Sequence, residues 1–364
     1  MFRNFYKGKK VFVTGHTGFK GAWLVHWLKD LGAEVFGYSV DIPTDPSLFE
    51  VCNLKNQIHH QVGNILDLKA LKKSLKEAKP DVCFHLAAQA LVRPSYDDPL
   101  LTYQTNILGT AHVLEALREV PSVKVFVNIT SDKCYENDER QEGYTETDPM
   151  GGHDPYSASK GCAELIFSSM YRSFYKGKIG ISMASARAGN VIGGGDWAKD
   201  RILPDAIRAW ISKKALQIRS PNAVRPWQHV LECLSGYLWL AVMLSEKAHE
   251  LSGEGFNFGP DIRTHQPVQK LIETFKQTWG EGKVDYDLME GTSKKEAHFL
   301  MLNCEKSEKK LGWSANLAFE ESVELAASWY KQYYENPKNM NKFTSDQIKK
   351  YENMAIERKR VWTA

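Results

Sequence analysis

The sequence predicts an α/β protein built on a doubly wound parallel sheet, with a second, smaller domain toward the C-terminus. Two observations carry this expectation. Strand-like and helix-like stretches alternate through the first half of the chain at the spacing of repeated βα units. A glycine turn, TGHTGFKG at 14–21, joins the first strand to the first helix. The 364 residues leave room for a large core and about two domains of roughly 100–200 residues each.

In order, KKVFVTG reads as a buried strand, AWLVHWLKDLG as a helix closed by Gly32, and AEVFGYS as the second strand. HHQVG is a short third strand, DLKALKKSLKEA at 67–78 an amphipathic helix, and DVCFHLAA the fourth strand. One long helix is predicted near DPLLTYQTNILGTAHVLEALREV, followed by the strand KVFVNITS. The second half is broken by Pro and Gly at 193–195, 204, 221, 226, 260 and 267, and the last thirty residues are charged and helical in pattern.

Bulk properties narrow the class. Hydrophobic residues make up 43% and charged residues 25% of the chain, and the net charge is +3. A charge that small, from scattered basic residues, gives no support to nucleic-acid binding. The longest apolar patch, LSGYLWLAVML around Trp239, is about half a membrane span, and no segment has the pattern of a secretory signal. The six cysteines show no C-x-x-C spacing and are expected to be reduced thiols in a cytoplasmic protein, with no metal site.

The glycine turn follows a strand and opens a helix, the context of a dinucleotide-binding Rossmann-type fold. Gly15 permits the tight turn, Gly18 lets a pyrophosphate approach the backbone, and Gly21 lets helix and strand pack closely. Thr17 and Phe19 belong to the same anion-binding helix start. His16 and Lys20 stand either beside the pyrophosphate or in solvent. The acidic residue that holds the ribose in such folds is absent: the second strand ends in Ser39, with Asp41 the nearest carboxylate. Ser39 does not repel a 2′-phosphate, so this position alone admits NADP, but no Arg or Lys lies between 30 and 54, which favours NAD.

Tyr156 and Lys160 in HDPYSASKGCAE are four apart and share a helix face. A tyrosine titrates near 10 when unperturbed; a lysine and a nicotinamide cation beside it would lower that value and make it a usable base. The strand KVFVNITS runs into TSDKCY, a polar cluster at the carboxyl end of a parallel strand, where α/β folds place chemistry. There Ser131 is a hydrogen-bond partner for a substrate hydroxyl, Asp132 a proton donor, and Lys133 a base or a charge; a helix cap with a solvated turn is the plainer alternative.

Together TGHTGFKG, HLAAQ (85–89), TSDKCY, YSASK and RAGNVIGGGDWAKDR (187–201) resemble the extended short-chain dehydrogenases/reductases that act on nucleotide sugars. RPWQHVLE (225–232) and MGGHDPYSASKGCAE bring the resemblance to the CDP-glucose 4,6-dehydratases, from about residue 8 to 330. It implies an NAD-binding domain at 1–186 plus roughly 226–258, a nucleotide-sugar-binding domain at 187–225 and 259–335, and a helical tail at 336–364.

The activity implied is dehydration of CDP-glucose to CDP-4-keto-6-deoxyglucose. C4 is oxidised, water leaves across C5 and C6, and the hydride returns to C6. Ser131 and Tyr156 would hold the 4-hydroxyl, with Tyr156 taking its proton. Lys160 would orient the ribose and Tyr156, and Asp132 would protonate the departing 6-hydroxyl. Lys133 stands where dTDP-sugar dehydratases have a glutamate as C5 base, and as a base it would have to be neutral; stabilising an enolate is the alternative. Asn64, with Ile65 beside it, stands where an Asp commonly meets the adenine amine, and Leu86, Ala87, Ala88 and Gln89 would line the pyrophosphate and ribose edge. For the substrate, Asn190, Arg201 and Arg225 are expected at the diphosphate, Trp197 and Trp227 as stacking platforms or as core, and Glu296 and His298 near the ribose or base. A homodimer is implied, through a four-helix bundle of the helix near 100–118 and the Tyr156 helix, with a tetramer left open. The product would feed a bacterial surface polysaccharide such as O-antigen. The alternatives are a dTDP- or UDP-hexose 4,6-dehydratase, a 4-epimerase, and a non-catalytic dinucleotide sensor; Asp132 argues for dehydration, because an epimerase needs no group at C6.

Overall fold

The computed structural model describes residues 1–140, 142–218, 220–261, 264–286 and 300–364. Its centre is a seven-stranded sheet of β1 (Lys10–Thr14), β2 (Glu34–Ser39), β3 (His59–Val62), β4 (Val82–His85), β5 (Val125–Ile129), β6 (Ser182–Arg187) and β11 (Gly255–Asn257). The order is β11-β6-β5-β4-β1-β2-β3, and every neighbouring pair is parallel. The reversal of winding between β1 and β4 opens a crevice at the carboxyl ends of the strands, where such sheets take ligands.

Alternation along the strands sorts side chains to two faces. Val11, Val13, Val125 and Val127 point into one buried cluster, and Phe12, Phe126 and Met183 into the other. The helices, in chain order, are α1 (Phe19–Asp30), α2 (Leu48–Val51), α3 (Leu68–Ala78), α4 (Val92–Asp97), α5 (Pro99–Tyr103), α6 (Gly109–Leu117), α7 (Pro155–Met170), α8 (Ile202–Ile211), α9 (Val230–Glu246), α10 (Ala248–Leu251), α11 (Val268–Trp279), α12 (Glu305–Leu311), α13 (Phe319–Glu335) and α14 (Met340–Glu357). Helices α1 and α9 cover the first face and α3, α6 and α7 the second. The apolar run around Trp239 is the buried interior of α9, and among the described residues no helix is long and apolar enough to cross a membrane.

One departure from the sequence expectation stands out: the single long helix near 98–120 is instead α5, a π-helical turn at Gln104–Leu108, and α6. The π turn rotates Asn106 inward, where its amide donates to the Gln89 carbonyl at 3.0 Å and to Ser159 Oγ at 2.8 Å. π turns inside helices are frequent at functional sites. The charged C-terminal stretch forms α14, which docks on α1 and α13: Trp27 Nε1 donates to Glu352 at 2.9 Å, and Trp329 Nε1 to Thr344 Oγ1 at 2.9 Å. Beside the main sheet lie small two-stranded pairings, β7 (Val191–Ile192) with β10 (Gln228–His229), β8 (Ala215–Ile218) with β13 (Lys283–Tyr286), and β9 (Val224–Pro226) with β12 (His265–Pro267).

Candidate active site

The glycine turn sits at the amino end of α1. Gly15 has φ +75°, and a methyl group there would stand 2.6 Å from the Ala87 nitrogen. A methyl on Gly21 would fall 2.1 Å from the Gly15 carbonyl oxygen. Both glycines are therefore required by close packing of turn, helix and the loop after β4. Gly18 differs: a methyl there meets only the Gly15 oxygen, at an ordinary 3.5 Å. As N-cap of α1, Gly18 supplies no side-chain cap, so the first helical N–H groups present their positive end to whatever approaches. These features fit the pyrophosphate of a dinucleotide.

Around the turn, several side chains brace the backbone. His16 is a correction to the expectation of a ligand-facing or solvated residue. It is fully buried, with Nδ1 2.9 Å from Ser39 Oγ and Nε2 2.7 Å from His60 Nδ1. Burial first, then the neighbouring His60, hold it neutral with a pKa of about 3. The Ser39 hydroxyl is thus engaged by His16 and lies 3.5 Å from the Thr17 nitrogen, while Thr17 Oγ1 donates to the Asp41 carbonyl at 2.6 Å. Asn64 Oδ1 accepts from the Leu66 nitrogen at 2.9 Å, a local turn that occupies the oxygen expected at adenine. Ile65 is buried under the π turn, its Cδ1 2.4 Å from where a methyl on Gly109 would stand. Phe19 leans toward Gly193.

In the loop after β4, Leu86 N donates to the Thr14 carbonyl at 3.1 Å, and Ala87 N to Thr14 Oγ1 at 3.2 Å. Ala88 follows, and Gln89 folds its amide back onto Leu91 and Thr102. Gln89 thus shapes the loop with its side chain, while its backbone N–H donates to Asn106 Oδ1 at 2.8 Å and its carbonyl accepts from the Asn106 amide.

Helix α7 begins at Asp154, whose carboxylate accepts from Ser157 N at 2.9 Å, with Pro155 in the first turn. This start fixes Tyr156, whose N–H donates to Ser95 Oγ at 3.2 Å. Tyr156 and Lys160 are both buried, with Nζ 5.8 Å from the phenol ring centre. The Tyr156 hydroxyl shares a hydrogen bond with Ser131, and Ser131 Oγ donates to Asp132 Oδ1 at 3.0 Å. Asp132 is 3% exposed, and its other oxygen lies 3.5 Å from the Asn190 amide. Ser131 caps the short turn Asp132–Cys134 by accepting from Lys133 N, so cap and chemistry coincide in one hydroxyl.

Burial pushes the Tyr156 phenol up to about 12, and Asp132 adds to the rise; the hydrogen bond with Ser131 and the Arg201 charge oppose it. Burial, then the positive charge of Lys20, lower Lys160 to about 8, while Glu164 and Cys134 resist. Tyrosine, serine, lysine and a buried carboxylate thus converge at the carboxyl ends of β5 and β6, across from the glycine turn. The arrangement is suited to removing a hydroxyl proton and protonating a second leaving oxygen.

The substrate-side residues divide. Asn190 is in left-handed backbone (φ +48°) and turns its amide to Asp132. Arg201, at the start of α8, bonds Asp196 at 3.1 Å. Arg225, on β9, donates to the Val224 carbonyl at 3.0 Å. Trp197 and Trp227 resolve to the core alternative, each 6% exposed. Trp197 packs among the rings of Trp329, Tyr330 and Tyr333, and Trp227 Nε1 donates to the Gln266 carbonyl. Glu296 and His298 lie outside the described residues. Sequence reasoning missed Asn106, Glu164 and Arg187. The signal for Glu164 was present: it lies four residues beyond Lys160, extending Tyr156-x-x-x-Lys160 by a further turn on the same face.

A family model described as GDP-mannose 4,6 dehydratase matches residues 12–326. A CDP-glucose 4,6-dehydratase of Salmonella typhimurium is 47% identical over 91% of this chain and 93% of its own length. A dTDP-glucose 4,6-dehydratase of Haemophilus influenzae is 25% identical over 88% and 97%. Among solved structures, the Thermotoga maritima UDP-glucose 4-epimerase with UDP-glucose superposes with a TM-score of 0.75 at 23% identity, covering 89% of this chain and 99% of that one. The Bacillus anthracis dTDP-glucose 4,6-dehydratase in complex with NAD gives 0.73 at 22% identity, covering 89% and 97%. The two superpositions share the parallel sheet and its flanking helices. With its family match across the sheet and the site, the chain belongs to the GDP-mannose 4,6 dehydratase family.

Proposed function

We propose that this protein dehydrates CDP-glucose to CDP-4-keto-6-deoxyglucose with NAD as a cofactor restored in each turnover. The observation that carries the reading is the buried Asp132, linked through Ser131 to Tyr156. Oxidation or epimerisation at C4 needs only the tyrosine, serine and lysine; a carboxyl group beside them serves departure of the 6-hydroxyl. The 47% identical relative, named for CDP-glucose, supports the choice of nucleotide.

NAD, when bound, would supply the hydride acceptor for C4 and the hydride donor for C6. The chain's own groups do the rest. Tyr156 removes the 4-hydroxyl proton while Ser131 holds that oxygen, and the Lys160 ammonium stabilises the phenolate. The ketone formed at C4 acidifies C5, whose proton passes to Lys133, acting as the neutral amine, and is returned from it to C5 when the hydride reaches C6. Asp132 protonates the 6-hydroxyl as it leaves as water. The turn at Gly15, Gly18 and Gly21 would hold the pyrophosphate of NAD, and Arg201 and Arg225 are the cations assigned to the substrate diphosphate.

The chain works as a homodimer through α5, the π turn and α7, where Leu100, Leu101, Leu108 and Leu165 are exposed. The reaction is placed in the cytoplasm, supplying a deoxysugar for a surface polysaccharide. The test is incubation of the purified protein with CDP-, dTDP- and UDP-glucose, with and without added NAD, followed by mass and proton NMR analysis. Loss of one water from CDP-glucose in preference to the others, without net NADH, supports the assignment. An unchanged mass with inversion at C4 replaces it with epimerisation.

A further inference from the structure

Behind the catalytic face of α7 lies a buried ion pair. Glu164 and Arg187 have side chains 2% and 4% exposed, and Arg187 Nη2 stands 2.8 Å from Glu164 Oε2. The same carboxylate accepts from Ser185 Oγ of β6 at 2.7 Å and from Thr130 Oγ1 at the end of β5. Arg187 Nη1 donates to Tyr135 OH at 2.7 Å, and Tyr135 OH donates to Asn257 Oδ1 at 2.7 Å. One carboxylate therefore ties α7 to both strands whose ends carry the site, and through Arg187 to the segment that follows Asp132 and Lys133.

A buried pair is weak evidence of stabilisation, because desolvating two charges offsets most of their attraction. Among the described residues Arg187 Nε finds no acceptor, so the network is not one optimised for stability alone. Its placement points elsewhere. Glu164 follows Lys160 by one helical turn and Tyr156 by two, on one face of α7.

We propose that Glu164 and Arg187 are positioning residues, an internal brace that sets the depth and rotation of α7 so that Tyr156 and Lys160 face Ser131 and Asp132. This rests on the reading above that those four residues carry the chemistry. Glu164 also acts on Lys160 through its charge. The groups facing Lys160 are Tyr156 and Glu164 on α7, Lys20 on α1, Cys134 after β5, and His85 on β4. Of these Glu164 carries the negative charge that favours the ammonium. Burial alone would raise the Glu164 carboxyl; Arg187 and the three hydrogen bonds outweigh it and keep it ionised. Removing that charge lowers the Lys160 pKa further, so the high-pH fall in kcat moves to lower pH.

The test compares wild type, Glu164→Gln, and the double variant Glu164→Gln/Arg187→Gln, which leaves no buried guanidinium unpaired. Two readouts are taken: kcat and KM for CDP-glucose across about pH 6 to 9.5, and the pH midpoint of Lys160 acetylation, by competitive labelling and peptide mass spectrometry. In both variants kcat is expected to fall about tenfold or more with KM within about threefold, as for a geometric misplacement. The labelling midpoint is expected to drop by about half a unit or more, with the kcat limb following it. If Glu164→Gln does not fold, the double variant is judged by the same criteria. Midpoints that stay at the wild-type value, with kcat lost only in proportion to unfolded protein, overturn the proposal. If wild type does not dehydrate CDP-glucose, the functional reading fails, and the Lys160 midpoint alone decides for or against the brace.

Discussion

Glu232 closes the RPWQHVLE stretch and sits in the first turn of α9, 1% exposed. Its carboxyl oxygens accept from Asn316 N at 2.6 Å and Leu317 N at 3.2 Å, which pins the segment before α13 to the central helix. Arg358 and Arg360 grip the same segment from the end of α14. Burial pushes the Glu232 carboxyl up from 4.5 to about 7, against those hydrogen bonds and the Arg360 charge. At 1.36 kcal/mol per unit, that rise corresponds to about 3 kcal/mol between protonation states. Between the two values the unfolded chain has released its proton and the native fold still holds it. Stability therefore falls as pH rises from about 4.5 to about 7 and levels off above, a loss of about 2.5 kcal/mol between pH 5 and pH 8 from this group. Glu232→Gln removes the titration while keeping an acceptor for one of the two amides. Urea unfolding followed by tryptophan fluorescence at both pH values gives the comparison. Wild type is expected to lose about 2.5 kcal/mol more than the variant on going to pH 8; equal losses would refute the assignment of a protonated, buried Glu232.

Further outcomes concern the site. Tyr156→Phe should lower kcat by about 10² to 10⁴ with KM nearly unchanged, since it removes the proton acceptor and little binding; steady-state kinetics decide, and a pure KM effect would count against it. Asp132→Asn should leave oxidation at C4 intact and slow water loss, so that reduced nicotinamide builds up in stopped-flow absorbance; no such signal, with oxidation also lost, would reassign Asp132 to the first step. Gly21→Ala places a methyl 2.1 Å from the Gly15 oxygen and 2.8 Å from His16 Cα, and should abolish measurable NAD binding in calorimetry while Gly18→Ala only weakens it. Equal affinities in the two variants would contradict the division of roles among these glycines.

The sheet and its crevice were legible because each relevant signal is local. Alternating apolar runs give strands, glycine spacing gives the first turn, and Tyr156-x-x-x-Lys160 needs only one helix to bring its members together. What could not be read depends on partners far along the chain. His16 lies in the glycine motif, yet its direction is decided by Ser39 and His60, which fold over it from β2 and β3. The π turn at 104–108 exists because Asn106 satisfies Gln89 and Ser159 on two other elements, a tertiary demand that overrides helical periodicity. Trp197 and Trp227 carry no mark in sequence that separates a core ring from a stacking platform; the aromatic side chains of α13 and the Gln266 carbonyl decide it. The Glu164–Arg187 pair joins residues 23 apart in sequence, and nothing in the intervening segment announces the contact.

The proposed dehydration requires one hydride to leave C4 and come back at C6 within a single active site. The most direct measurement is turnover of CDP-glucose carrying deuterium at C4, with the product read by proton NMR and mass spectrometry. The expected product has lost one water and carries the deuterium in its C6 methyl group. Deuterium retained at C4 of an inverted sugar, or lost to solvent, would contradict the proposed dehydration.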